Sequence, residues 1–252
     1  YMDVNKARFY KIIYDTTIVP HERYNIGTYK EKQLHLILKK YFDDDISHCE
    51  IPLEGFVADI FADGVVTEIE TNGFSGLKQK LEAFLPKYHV RLVYPLSAKK
   101  YVSWIDPDTN DFSKRSLSPK KEGVYDVLFE LVKILPYVRN CNLTILAPLL
   151  EIDEYRLKNG WSRDRKRGSH RFERIPCDIF GIIELSTNDD YLSCIPDSCE
   201  DEFTASDFMK TAHIKSAKVY AILKVLSERG VIEKTHKKGR SYIYKRVTQN
   251  NT

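Results

Sequence analysis

The chain has 252 residues, of which 42% are hydrophobic and 30% charged, with 39 Lys and Arg against 36 Asp and Glu. That is the composition of an ordinary globular protein with room for one large domain or two small ones. No run approaches the roughly 20 apolar residues of a membrane span, the N-terminus lacks a secretory apolar core, and the expectation is a cytoplasmic protein. The five cysteines are irregularly spaced with no CxxC, so neither a disulfide framework nor a zinc module is indicated, and Cys194, Cys199 and His213 lack the paired close ligands of structural zinc.

The net charge of +3 is unevenly spread. Between Phe203 and Val247 there are eleven Lys and Arg against three acidic residues, while the remainder carries 28 basic against 33 acidic. A basic C-terminal region of this kind points to an anionic partner, with nucleic acid the expected one.

Residues 1–26, aromatic-rich and then marked by Pro20, His21 and Asn25, read as an irregular or strand-like lead-in. From Thr28 to Phe42 the apolar spacing at Leu34, Ile37, Leu38 and Tyr41 predicts a helix, with Thr28 and Glu31 as its capping box. After an acidic turn at 43–45, CEIPLEGF reads as a strand whose Pro52 suits an edge or bulge. ADIFADGVVTEIET, residues 58–71, predicts a hairpin turning at Asp63-Gly64. That turn pairs Ala62 with Val65, Phe61 with Val66 and Ile60 with Thr67, and sets Asp59 opposite Glu68, with Glu70 on the same face as Glu68. Asn72-Gly73 is a turn, Ser75 the expected cap of the helix GLKQKLEAFLPK, and YHVRLVYPL a strand lying beside the hairpin after that crossover.

Beyond it, Tyr101–Ile105 reads as a strand, and FSKRSLSPKK (112–121) as a basic stretch whose Lys114, Arg115, Lys120 and Lys121 are within reach of a phosphate backbone near the hairpin. Gly123–Leu135 is a helix stopped by Pro136, Leu143–Leu150 and Asp178–Leu185 are strands, and the charged tract 161–174 between them is an exposed hairpin or loop. Asp189–Cys194 reads as a short helix and Pro196–Glu202 as an acidic linker. Thr204 then caps a short helix, Lys215–Arg229 forms a second ended by Gly230, and Val231–Thr235 pairs with Ser241–Val247 around Lys237-Lys238-Gly239-Arg240. The resulting division is 1–136, a connecting β-rich region 137–188, and 189–252.

Three carboxylates on one patch of sheet repel one another, and a hard divalent cation turns that cost into a gain; a solvated acidic face is the other reading of the same residues. The order helix, three strands, helix, strand, with Asp59 followed after eight residues by Glu68-Ile69-Glu70, resembles the PD-(D/E)xK superfamily over 28–96. That resemblance implies an α/β (α+β) fold with a restriction-endonuclease-like mixed sheet, and DNA hydrolysis with Mg²⁺ or Mn²⁺ held by Asp59 and Glu68, with Glu31 as a further metal ligand. Glu70 stands where the superfamily usually has Lys, so Lys78 or Lys80 of the following helix is the candidate basic group. The C-terminal pattern resembles a winged helix-turn-helix domain, which implies that Lys215, Ser216, Lys218 and Tyr220 meet the DNA major groove and that Lys237, Lys238 and Arg240 form the wing tip. A recognition helix buried against the N-terminal region would argue against that docking. NIGTYKEKQLH, TEIET, VRLVYP and KKGRSYIY extend a likeness to an uncharacterised bacterial family of this two-part layout. The expected activity is a metal-dependent DNA endonuclease, with a paired cut implying a homodimer. The alternatives are a non-catalytic DNA-binding regulator and a nuclease subunit that needs a partner.

Overall fold

A computed structural model describes residues 2–17, 32–109, 111–158 and 170–247. Its frame is an eight-stranded mixed sheet flanked by helices. β1 (Cys49–Leu53), β2 (Phe56–Ala62) and β3 (Val65–Ile69) form an antiparallel meander, with β1 at the edge, where the missing N–H of Pro52 breaks no inner ladder. Asp63 and Gly64 have φ of 51° and 76°, the two positive values a type I′ turn requires, and the β2–β3 register is the expected one. A short helix, α3 (Lys78–Phe84), then carries the chain over to β4 (His89–Val93), parallel to β3.

β7 (Leu143–Leu157) is the longest inner strand. Its Ile145 and Leu146 pair with β8 (His170–Leu185) while Leu143–Leu146 pair with β4, so those partners lie on opposite edges of β7. Farther along, Leu149–Leu157 pair in parallel with β5 (Leu96–Ile105), which therefore continues the line of β4. β6 (Ser116–Leu117) adds to the far side of β5. Half of the sheet thus runs on past the carboxyl ends of β3 and β4. Residues 137–188, read from the sequence as a connecting β-rich region, contribute β7 and β8 to this sheet.

Side chains alternate between two apolar layers. On one face Ile60, Ile69, Val93 and Ile182 pack against Phe9 of α1 (Lys6–Thr16) and Leu34, Ile37 and Leu38 of α2 (Gln33–Phe42). On the other, Val66, Val90, Leu92 and Ile145 meet Leu81 and Phe84 of α3 and Val127, Leu128 and Leu131 of α4 (Val124–Leu131). α1 corrects the strand-like expectation for the lead-in. Phe9, Ile12, Ile13 and Thr16 repeat at helical spacing, and Asn5 accepts the Arg8 amide at 2.9 Å as N-cap. The expected capping pair Thr28 and Glu31 lies outside the described residues. Ser75 is not a cap: a 3₁₀ turn, Phe74–Gly76, precedes α3, held where the Phe74 amide donates to Glu130 Oε2. Of the charged tract 161–174, His170–Arg174 belong to β8 rather than to a loop, and 161–169 lie outside the described residues.

The C-terminal region contains α5 (Asn188–Leu192), β9 (Glu202–Thr204), α6 (Ala205–Thr211), α7 (Ser216–Arg229), β10 (Ile232–Lys238) and β11 (Ser241–Arg246), with strand order β10-β11-β9. Gly230, at φ 84°, ends α7 in the left-handed conformation. Phe203, Phe208, Val219, Ile222 and Leu226 join the apolar layer that contains α4. Arg229 ties α7 to the sheet region through Val138 O and Ser186 O, at 2.8 and 2.6 Å. Among the described residues no helix is long and apolar enough to cross a membrane.

Candidate functional site

The acidic cluster forms where the β2–β3 ladder stops. Its last hydrogen-bonded pair is Ile60–Thr67, and one step farther the strands place Asp59 beside Glu68. The Glu70 amide points to β4, donating to Val93 O, so the intervening Ile69 amide points to β2, where Asp59 Oδ2 accepts it at 2.7 Å. The same Asp59 oxygen lies 3.2 Å from His35 Nε2 on α2. Glu68, on the α3 face with Val66, is 2% exposed. Lys80 Nζ donates to its Oε2 at 2.7 Å and to Val57 O at 2.8 Å. The other oxygen, Glu68 Oε1, is buried without a hydrogen-bond partner among the described residues. Glu70 is half-buried on the same face of the strand.

These surroundings drive the three carboxyls apart electrostatically. Burial and the neighbouring Asp59 charge push Glu68 up to about 7, against the pull of Lys80. Burial and Asp59 also raise Glu70. Burial opposes ionisation of Asp59 as well, but His35, the Ile69 amide and Lys80 hold it below the usual carboxylate range. The site thus keeps one firmly ionised carboxylate beside two that resist losing their protons.

Among the described residues no group of three or more His, Cys, Asp or Glu side chains is spaced to hold a metal ion unaided. Mg²⁺ needs less from a protein, since one or two carboxylates suffice when water and substrate phosphate fill its shell. An ionised Asp59 and the bare Glu68 Oε1 are hard oxygen donors of that kind, so the residues fit such an ion. Of the expected basic groups, Lys80 reaches the cluster, whereas Lys78 is exposed and shares no ion pair with it. Glu31 lies outside the described residues.

Two neighbours escaped the sequence reading. His35 falls inside the predicted helix 28–42 but off its apolar stripe of Leu34, Ile37, Leu38 and Tyr41, so nothing singles it out. Arg174, expected in a loop, is half-buried on β8 and donates at 2.6 Å to Thr71 O, one residue past Glu70, with desolvation lowering its pKa to about 10. No local pattern marks a half-buried guanidinium inside a charged tract. The basic stretch 112–121 is largely committed elsewhere: Arg115 bonds Asp153 and Glu151 at 2.8 and 3.0 Å, and Lys120 bonds Glu122 at 3.1 Å.

In the C-terminal region Lys215, Ser216, Tyr220 and Lys224 form an exposed stripe along α7, Tyr220 being 68% exposed. The opposite side of the helix is buried against α4 of the N-terminal region, so the burial that would argue against docking is met on that side and only the stripe stays exposed. Lys218 belongs to that second side, ion-paired with Asp126 and 5.5 Å from the Phe129 ring centre. Lys237, Lys238 and Arg240 are exposed at the β10–β11 tip, where Gly239 has φ 63°. Lys234 and Lys237 lie 3.3 and 4.8 Å from the ring centre of Tyr242.

The model of a family described as Domain of unknown function (DUF8091) matches residues 32–186. The match spans Asp59, Glu68, Glu70, Lys80 and Arg174 and ends before α5. An uncharacterized protein of Treponema pallidum (strain Nichols) is 24% identical over 225 residues, covering 88% of this chain and 87% of that protein. No solved structure matches.

Proposed function

We propose that this chain, which belongs to the family described as Domain of unknown function (DUF8091), is a metal-dependent DNA endonuclease of PD-(D/E)xK type that docks on DNA through a C-terminal winged helix. The observation that carries the reading is Glu68, a buried carboxylate with one oxygen on Lys80 and the other bare, next to an ionised Asp59. Asp59 and Glu68 would hold Mg²⁺ or Mn²⁺, which would supply charge stabilisation at the scissile phosphate and a more acidic water. Asp59 is kept ionised and oriented by His35 and the Ile69 amide. Glu70, on the same face as Glu68 and with its pKa raised by burial and Asp59, is the candidate to take the water's proton. Lys80 stands in for the basic group that Glu70 displaces, reaching the same carboxylate from α3 instead of from β3.

The DNA-docking part of the reading rests on the exposed stripe Lys215, Ser216 and Tyr220 and on the basic tip Lys237, Lys238 and Arg240. Lys218 is left out of it, because its ammonium is held by Asp126. A symmetric double-strand cut would require a homodimer. A second reading, a DNA-binding regulator with a degenerate nuclease fold, is favoured by the direct Lys80–Glu68 pair, which partly neutralises the carboxylate without metal.

The test is cleavage of supercoiled plasmid and of single-stranded DNA with Mg²⁺ or Mn²⁺, comparing the wild type with Glu68→Ala. The endonuclease reading predicts metal-dependent nicking that the variant loses. Equal products from both proteins, or none from either alongside salt-sensitive DNA binding, would favour the second reading.

A further inference from the structure

Away from the acidic cluster, a cavity of about 540 Å³ opens where 120–126 meets 212–218. That volume falls within the roughly 300–1,000 Å³ of small-ligand sites. Four lysines, Lys120, Lys121, Lys215 and Lys218, line it against two carboxylates, Glu122 and Asp126. Two of the lysines are already neutralised, Lys120 by Glu122 and Lys218 by Asp126. Lys121 and Lys215 are exposed, and neither forms an ion pair among the described residues, so the cavity keeps an uncompensated positive charge. α7 starts at Ser216 without a side-chain cap, and its free amide dipoles add to that field. The rest of the lining is Gly123, His213 and an apolar part made of Ala212, Ile214 and the ring of Tyr125, whose hydroxyl is occupied by Cys194 O at 3.0 Å.

We propose that this cavity binds a phosphate-bearing small molecule of nucleotide size, with the phosphates on Lys121 and Lys215 and an apolar or planar part against Tyr125 and Ile214. A space of about 540 Å³ between two segments of the chain admits a small anion but not a duplex, which meets Lys215 only at its exposed rim. The occupant bridges the sheet region and α7. Its phosphate also competes with Asp126 for Lys218, so binding is felt where α7 docks on α4. The proposal does not depend on the endonuclease reading.

The experiment is calorimetric titration of the full chain with ATP and with pyrophosphate, using wild type, Lys121→Glu and Gly123→Tyr. Gly123 lines the cavity in an extended conformation, and a Cβ added there meets nothing within 4 Å, so a bulky side chain fills space without straining the backbone. The expected result is saturable ATP binding, competed by pyrophosphate, that each variant weakens about tenfold or more while the thermal midpoint without ligand stays put. Absence of binding by both probes at millimolar concentration, or binding that both variants leave intact, overturns the proposal. If Lys121→Glu weakens a duplex oligonucleotide and ATP never binds, the lysines serve the DNA backbone and the small-molecule site is refuted.

Discussion

Replacing Glu68 by Gln keeps its shape and removes its charge, and the cluster's electrostatics make the consequence calculable. The Glu68 carboxyl titrates near 4.5 in a solvated chain and near 7 when folded. A group whose folded pKa is raised contributes stability that is present below the unfolded pKa and is lost as pH climbs through the folded value. The wild type therefore loses stability between about pH 4.5 and 7, an interval worth about 3 kcal/mol at about 1.4 kcal/mol per unit. Glu68→Gln escapes that loss. At pH 8 without metal the variant should be more stable by about 3 kcal/mol, a rise in thermal midpoint of roughly 6–12 °C for a chain of this size, whereas at pH 4.5 the two proteins should melt within about 1–2 °C of each other. Scanning calorimetry or dye-monitored melting across that pH range reads the difference. A variant that is no more stable at pH 8, or one whose gain is equal at pH 4.5, would refute the claim that Glu68 is held at an electrostatic cost.

Lys80→Met should destabilise by about 1–3 kcal/mol at pH 8, because a buried carboxylate loses its cation, and much of the loss should be recovered at pH 5, where Glu68 is neutral; paired urea titrations at the two pH values check it. Charge reversal of Lys237, Lys238 and Arg240 together should weaken duplex binding and flatten its dependence on log salt by up to about three, while leaving the melting curve unchanged; fluorescence anisotropy over a salt series measures this. Gly73→Ala should cost about 1–3 kcal/mol by thermal melting, since Gly73 sits at φ 108° and its new Cβ would collide with Glu130 Oε2.

The features legible in the sequence were those written locally. Asp63-Gly64 declares its turn, the turn fixes the register, and the register brings Asp59 and Glu68 together. The helix and strand pattern of the C-terminal region is local in the same sense, which is why α7 and the β10–β11 tip fall where the spacing puts them. What was hidden depends on distant partners. β7 reads as ending near Leu150 because the continuation EIDEYRL looks polar, yet Glu154 is 1% exposed and is enclosed by Lys100, Arg156 and Arg171. A strand whose inward positions carry paired charges gives no hydrophobic alternation to read. Lys218 has the opposite history. The winged-helix resemblance makes it a groove-facing candidate, and only the packing of α7 against α4 shows that Asp126 claims it. His35 and Arg174 reach the acidic cluster from an adjacent layer and a remote strand, so no spacing within the hairpin announces them.

Whether the Asp59–Glu68 pair holds a divalent cation decides between a nuclease and a degenerate scaffold. Calorimetric titration of Mn²⁺ into wild type and Glu68→Gln at pH 7.5 tests this directly. A saturable wild-type isotherm, weakened about tenfold or more in the variant and by Asp59→Asn, is the predicted result. Indistinguishable isotherms for the three proteins, or no binding to the wild type at millimolar Mn²⁺ with DNA present, would contradict it.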